Sequence, residues 1–439
     1  MKIISKEMKE QLSYSLPTAI ECTLVTLIGI IDTAAIKPLG SSAIAAVGAM
    51  VVVINLVYLL LQSVNVSNNA MIARLKGQND YERIKKNTGT SVYLSVFLTI
   101  ISVIITIGIS KFLPNIFKVD KICLTYLYIR FIGAIPVAIS SVLSGHQRTI
   151  GNSKKIMKIV VLSVILNTVF DYIAIKLNYG IAGVALATVL VDVITMVITM
   201  YISRKTVKYV IDKKILKKLT PLVKYAAYER VASRCGNLIF NIILSRIGTI
   251  EYAAHVVLMQ IMDAFDNFIY GMGVGVTSVL GINLGRHNKE KLEIAKENVN
   301  ILIKNMMIYF PLVFMCISII ILPLLLKEKA ALIIAYNLVI FGMLYVCLNS
   351  NNTTTMAILR ANKDFKYQAK IKLISLFFVR ITLSYILCNT PLGIYGAWIT
   401  FVIEAIVLYA LLKKRRYELD IQNIKEINNF KEVEVSAWN

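Results

Sequence analysis

The sequence predicts an all-α polytopic membrane protein, with twelve transmembrane helices in two six-helix lobes, and three observations carry that reading. Of 439 residues, 57% are apolar and only 17% charged, against about 25% charged in an ordinary soluble domain. The apolar residues come in runs of roughly 20, the length that crosses a hydrocarbon core as a helix. The 48 Lys and Arg are sorted by side: 34 fall in the two tails and alternate loops, 8 in the opposite loops and 6 inside spans. That asymmetry is a positive-inside pattern.

Taken in order, the spans are 12–35, 43–72, 88–110, 122–144, 157–177 and 181–203, then 221–246, 252–280, 299–325, 330–357, 369–388 and 392–412. The leading residues 1–11 mix Lys with Glu and run into a span containing Glu21 and Asp32, so they do not read as a cleavable signal and the first span is retained. The basic loops 74–86, 148–158, 204–218, 286–296 and 360–372 follow every second span and are expected in the cytoplasm. An even number of spans then places both termini inside, in the cell (inner) membrane. Residues 1–203 form the expected N-lobe, 204–218 a basic cytoplasmic connector with seven Lys/Arg and one Asp, 219–412 the C-lobe, and 413–439 a polar, partly disordered cytoplasmic tail.

The halves read as a repeat. Leu39-Gly40-Ser41-Ser42-Ala43-Ile44-Ala45-Ala46 aligns with Ile247-Gly248-Thr249-Ile250-Glu251-Tyr252-Ala253-Ala254 at an offset of 208. Leu75 matches Leu284, Asn152 matches Asn362, and Gly180 and Gly183 match Gly393 and Gly396 at an offset of 213. Six spans is an even number, so the second half starts on the same side as the first and the pseudo-two-fold axis lies along the membrane normal. Two such bundles around a central cleft make a transporter architecture.

Other classes lack their chemistry. The net charge of +23 is explained by topology, so no nucleic-acid partner is expected. Six cysteines stand singly in apolar segments, and the three histidines have no zinc spacing. There is no Asp-rich Mg²⁺ motif of an intramembrane prenyltransferase and no phosphate-binding Gly-x-x-x-x-Gly-Lys loop for ATP. The chain is read as a non-enzyme with no cofactor, a monomer whose partners are small molecules and membrane lipids.

What remains is charge inside the membrane, where each ionised group costs about 2.5 to 3.5 kcal/mol on insertion scales. Eight acids lie in spans: Glu21, Asp32, Asp171, Asp192, Glu229, Asp263, Asp266 and Glu404. Asn167 and Asp171 share a helix face, as do Thr188 and Asp192 on the next span. Glu21 and Asp32, eleven apart, share another. Such a group of oxygens can take a proton, since desolvation and like charge oppose ionisation, or a small hard cation, Na⁺ included. The residue types alone leave the ion open. Arg130 is expected to pair with one of these acids, and Glu404 with Arg380; Arg380 and Ser384 fall opposite Asn167 and Asp171 at the offset of 213.

At this point the chain resembles the multidrug and toxic compound extrusion (MATE) transporters, over essentially its full length. The resemblance is carried by Ile31-Asp32-Thr33 with Gly40 and Ala45-Ala46-Val47-Gly48, and by Pro136, Gly145, Arg148, Gly151 and Asn152. It continues through Gly248-Thr249, Ala253-Ala254-His255, Gly271, Gly273, Gly275 and Leu284-Gly285. It implies that Asp32 couples ion to cargo, that Asn167, Asp171 and Thr188 complete an H⁺ or Na⁺ site, and that the first span can bend at Pro17. Glu21 and Asp192 stand as candidate additions to that site. Asp263, Asp266 and Glu229 are candidate cleft residues for substrate. The tenth span lacks the acid of the NorM-like branch, so the DinF-like branch fits better. The implied function is an antiporter exporting lipophilic organic cations or drugs by alternating access; the alternative is a flippase for lipid-linked saccharide precursors. A diphosphate cargo would want Arg and Lys, and the N-terminal spans hold four acids and one base, the C-terminal spans four acids and five bases.

Overall fold

The computed structural model describes residues 6–36, 39, 41–117, 119–326 and 328–436; the side chains of residues 26–35, 41, 42, 44, 45 and 424–436 fall outside that description. Among the described residues the chain is helical, without a strand, and twelve long helical segments follow one another. They are α1 Lys6–Ile36, α2 Ser41–Gly77, α3 Tyr81–Ile109, α4 Cys123–Gln147, α5 Ser153–Lys176 and α6 Gly180–Ser203. Then come α7 Lys213–Ser245, α8 Thr249–Gly285, α9 Lys289–Leu325, α10 Lys329–Ala361, α11 Phe365–Cys388 and α12 Gly393–Ser436. The chain is thus an all-helical multi-pass membrane protein. Among the described residues nine stretches are long and apolar enough to span, one of them, Cys123–Lys176, taking in both α4 and α5. Because of Lys224, Glu229, Arg230 and Arg234, α7 is the most polar of them.

The turns repeat between the halves. Asn79 (φ 57°) and His287 (φ 51°) adopt the left-handed conformation at the ends of α2 and α8. Each is followed by a side-chain N-cap, Asp80 accepting from the Arg83 N–H and Asn288 from the Lys291 N–H, both at 3.0 Å. These are the same turn at the offset of 208. Gly180 (φ 58°) and Gly393 (φ 48°) open α6 and α12 in the same conformation at the offset of 213, where a side chain would be strained.

The chain divides into two compact units, residues 20–227 and residues 1–19 with 228–439. The first division falls two residues after Pro17, inside α1. In the unit 20–227, one apolar cluster joins Met50 and Ile54 of α2, Tyr126 and Leu127 of α4, and Val184 of α6. A second joins Val64, Val92 and Leu143 to Ile215, Leu219 and Val223 at the start of α7. In the other unit, α8, α9, α10 and α12 bury Leu258, Phe314, Leu338, Trp398 and Phe401 together. Gly271 and Gly275, a small-xxx-small pair, let the first turns of α1 lie on α8: a Cβ at Gly271 would stand 2.5 Å from the Ala19 Cα.

The tail departs from expectation. Instead of loosening after residue 412, α12 continues as helix through Asn423 and on to Ser436. Leu412 and Leu419 pack with Met356, Leu359 and Ile371. Arg415 pairs with Asp364 (2.7 Å), and Lys296 with Asp420 (2.9 Å). The charges that made the tail read as irregular are clips between helices. Likewise the last residues of the connector, from Lys213, already belong to α7.

Candidate functional site

The N-terminal acids sort into two kinds by their neighbours. On α5, Ser163, Asn167 and Asp171 are spaced by one turn and all buried, Asp171 completely. On α6 the matching stripe is Thr188, Asp192 and Thr195. The hydroxyls of Ser163 and Thr195 meet at 2.8 Å, and Ala174 lies against Gly183. Between those two fixed points, the antiparallel register puts Asp171 level with Thr188 and Asn167 level with Asp192. The Thr188 hydroxyl donates to the Val184 carbonyl at 3.0 Å, which leaves its oxygen lone pairs for a cation. Among the described residues neither atom of the Asn167 amide has a hydrogen-bond partner, although the side chain is only 1% exposed. Buried amides are rarely left so. The structure thus places Asn167 and Asp171 one turn apart on α5, with Thr188 on the neighbouring α6. Asp32 lies on α1, but its side chain is outside the described residues.

Glu21 and Asp192 are of the second kind, each held by an arginine. Asp192 accepts from Arg130 at 2.8 Å, with the Tyr58 hydroxyl 3.5 Å from the same guanidinium. Glu21 pairs with Arg148. A carboxylate already matched by a fixed cation has less to gain from a mobile one. Arg148 had read as a loop residue, yet its side chain is only 11% exposed. Its turn is set by Gly151 (φ 110°) and by Lys76, whose ammonium donates to the Ile150 carbonyl at 2.7 Å.

In the C-terminal half the pattern is inverted. Arg380 sits in a π-helical stretch of α11, Ser375–Ile381, and pairs with Glu404. Glu404 also accepts from Lys372 and Ser375, each at 3.2 Å. Arg380 donates to Asn237 at 3.1 Å and lies 4.2 Å from the centre of the Phe401 ring. Ser384, opposite Asp171 in the repeat, bonds Thr400 at 2.6 Å. A hydroxyl pair and a tethered guanidinium stand where the N-terminal half has a carboxylate and an amide. Of the candidate cleft acids, Asp263 is exposed on α8. Asp266 accepts from Asn349 (2.7 Å), with the Tyr345 hydroxyl at 3.5 Å. Glu229 accepts from Gln368 at 2.9 Å. His255 is buried among the rings of Phe240, Tyr252 and Trp398, and all six cysteines are free thiols.

The residues that sequence reasoning missed are Arg148 and Lys372, both assigned to cytoplasmic loops. One signal was available. Four acids against one base in the N-terminal spans demand a counter-charge from a span end, and the only question was which one.

The comparisons with known proteins decide the family. A family model described as MatE matches residues 17–173 and 226–386. The chain belongs to the MatE family. Among its relatives is a probable multidrug resistance protein NorM of Thermotoga maritima, 26% identical over 299 residues. That match spans 64% of this chain and 64% of the NorM protein. The multidrug resistance protein MdtK of Photorhabdus laumondii is 22% identical over 443 residues, covering 92% of this chain and 95% of its own. A solved MOP-superfamily transporter from Pyrococcus furiosus, for which reverse polarity of the binding pocket is said to suggest a different function, superposes with a TM-score of 0.85 at 22% identity. It covers 98% of this chain and 97% of its own. These likenesses establish the MatE fold over the whole chain.

Proposed function

We propose that this MatE protein is a secondary antiporter that exports lipophilic organic cations or drugs in exchange for H⁺ or Na⁺, by alternating access of its two lobes in the cell membrane. The observation that carries the reading is the pairing of a fully buried carboxylate, Asp171, with the buried, unsatisfied amide of Asn167 one turn away. Thr188 completes the oxygen set on the neighbouring helix, and Asp32 of α1 is the fourth proposed member. A site of hard oxygens that closes on a cation and opens when that cation leaves can couple ion movement to cargo movement. Glu21 and Asp192, each matched by an arginine, act in this scheme as fixed struts beside the ion site.

The names of the relatives support drugs as cargo, but the reversed pocket polarity described for the Pyrococcus furiosus protein means that cargo has to be argued from charge. Here the C-terminal half's most buried base, Arg380, is matched by Glu404, which weakens the case for a diphosphate cargo and for the flippase alternative. The absence of an acid in α10, residues 329–361, favours the DinF-like branch. The test is transport in proteoliposomes with Na⁺ and H⁺ gradients imposed separately. Efflux of a cationic dye driven by one of them, and lost in Asp171→Asn, is expected. Binding of a lipid-linked diphosphate with no response to cationic dyes would overturn the reading.

A further inference from the structure

The start of α7 carries a feature that ion-coupled transport does not use. Five lysines, Lys213, Lys214, Lys217, Lys218 and Lys224, fall within twelve residues, and all five are exposed. The opposite face is buried through Ile215, Leu219, Val223 and Ala226. Lys213, Lys217 and Lys224 are spaced by four and seven residues, so they form one stripe about 16 Å long, parallel to the helix. Beside the stripe runs a groove of about 570 Å³, walled by those three lysines with Leu216, Pro221 and Tyr225. The helix then runs on into the apolar segment of α7.

This face is held rigidly. Asp212 caps the helix, its carboxylate accepting from the N–H groups of Lys214 (2.8 Å) and Ile215 (3.2 Å). The Thr90 hydroxyl of α3 donates to the Val210 carbonyl at 3.0 Å and accepts from the Asp212 N–H at 3.1 Å. Gly89 has no Cβ, which lets the Lys208 backbone lie against α3. The connector is therefore a clamp that sets the angle of the lysine stripe.

We infer that this groove binds the headgroup of an anionic glycerophospholipid of the cytoplasmic leaflet. Charge and position select that occupant. By the positive-inside pattern of the sequence, the stripe falls at the cytoplasmic end of a span, where lysines reach from an apolar stem to headgroup level. Tyr225 follows directly on Lys224 at the deep end of the stripe, where aromatic residues anchor in the interface. Leu216 and Pro221 offer an apolar wall to the glycerol esters. A protein partner would need roughly 800 Å² from each side, more than one helix face supplies.

The experiment measures lipid retention by the full-length purified chain in mixed micelles, with phosphatidylglycerol and phosphatidylcholine as probes. Each lysine near an anionic lipid surface is worth roughly a fivefold change in affinity. Lys213→Gln, Lys217→Gln and Lys224→Gln together should therefore weaken phosphatidylglycerol binding at least ~10-fold and leave phosphatidylcholine unchanged. The same change at exposed Lys154, Lys155 and Lys158 of α5, which are not among the residues lining this groove, should weaken it clearly less than the α7 triple does. Replacing the three α7 lysines by Arg should keep the affinity, which separates charge from any folding defect. Equal losses in the α5 and α7 triples, or equal retention of the two lipids by the unmodified chain, would overturn the inference. So would binding of glycerophosphate as tight as that of the lipid.

Discussion

The Arg380–Glu404 pair offers a test in which two halves of one interaction fail by different amounts. Both side chains are buried, at 5% and 1% exposure. Removing one partner of a buried pair costs about 3 to 5 kcal/mol, because the other charge stays in place without compensation. Arg380→Met leaves Glu404 with the Lys372 ammonium and the Ser375 hydroxyl, each at 3.2 Å. The loss should sit near the low end, about 3 kcal/mol. Glu404→Gln leaves Arg380 with a neutral amide at 3.1 Å and the face of Phe401, so about 4 to 5 kcal/mol is expected. The double change Arg380→Met with Glu404→Leu strands no deeply buried charge, since Lys372 is 20% exposed and can reach headgroup level. It should be more stable than Glu404→Gln.

The measurement is equilibrium unfolding in mixed micelles followed by tryptophan emission. Trp398 is fully buried and packs on Phe401 with ring centroids 5.7 Å apart, so it reports this core directly. The ordering of the three variants is the signature. If Arg380→Met proves more damaging than Glu404→Gln, or if both stay within about 0.5 kcal/mol of the unmodified protein as surface changes do, the pair is not the buried clamp described here.

Asp32→Asn and Asp171→Asn should each abolish ion-driven efflux while the protein still inserts and folds, and Asn167→Ala should weaken ion dependence; unchanged release of bound substrate by added Na⁺ or acid in all three would place the site elsewhere. Gly271→Ala sets a Cβ 2.5 Å from the Ala19 Cα, an overpacking that costs about 1 to 3 kcal/mol and should lower the unfolding midpoint, whereas the same change at Gly48, which has open space around it, should not. Exchange of one monovalent ion for one monovalent cation moves no net charge, so clamping the membrane potential to zero should leave dye export unchanged, while export of a neutral compound loses ~2.3 kcal/mol per 100 mV and slows.

The fold was legible because the membrane imposes its terms on composition. Runs of about 20 apolar residues, lysines sorted by side and a repeat with turns at fixed offsets leave few alternatives, and the left-handed turns at Asn79 and His287 fall where the repeat required them. The ends of helices were less legible. Apolarity reports where the hydrocarbon core stops, while the helix stops where its hydrogen bonds do. Hence α12 runs beyond residue 412 on ion pairs such as Arg415 with Asp364, which no hydropathy pattern records.

The site was legible in kind and less so in partnership. That Asn167 and Asp171 share a face follows from a spacing of four, and that Thr188 lies on the helix packed beside them follows from the short turn between α5 and α6. The pairing of Glu21 with Arg148 spans 127 residues and joins a mid-helix acid to a base that sequence assigns to a loop. Here a charge tally does what spacing does not: an acid deep in a span must be protonated, bind a cation or find a base. For Glu21 and Asp192 the base is present in the fold. Asp171 is fully buried one turn from an amide that has no hydrogen-bond partner among the described residues, and this makes it, with Asp32, the carboxylate on which the coupling experiments should begin.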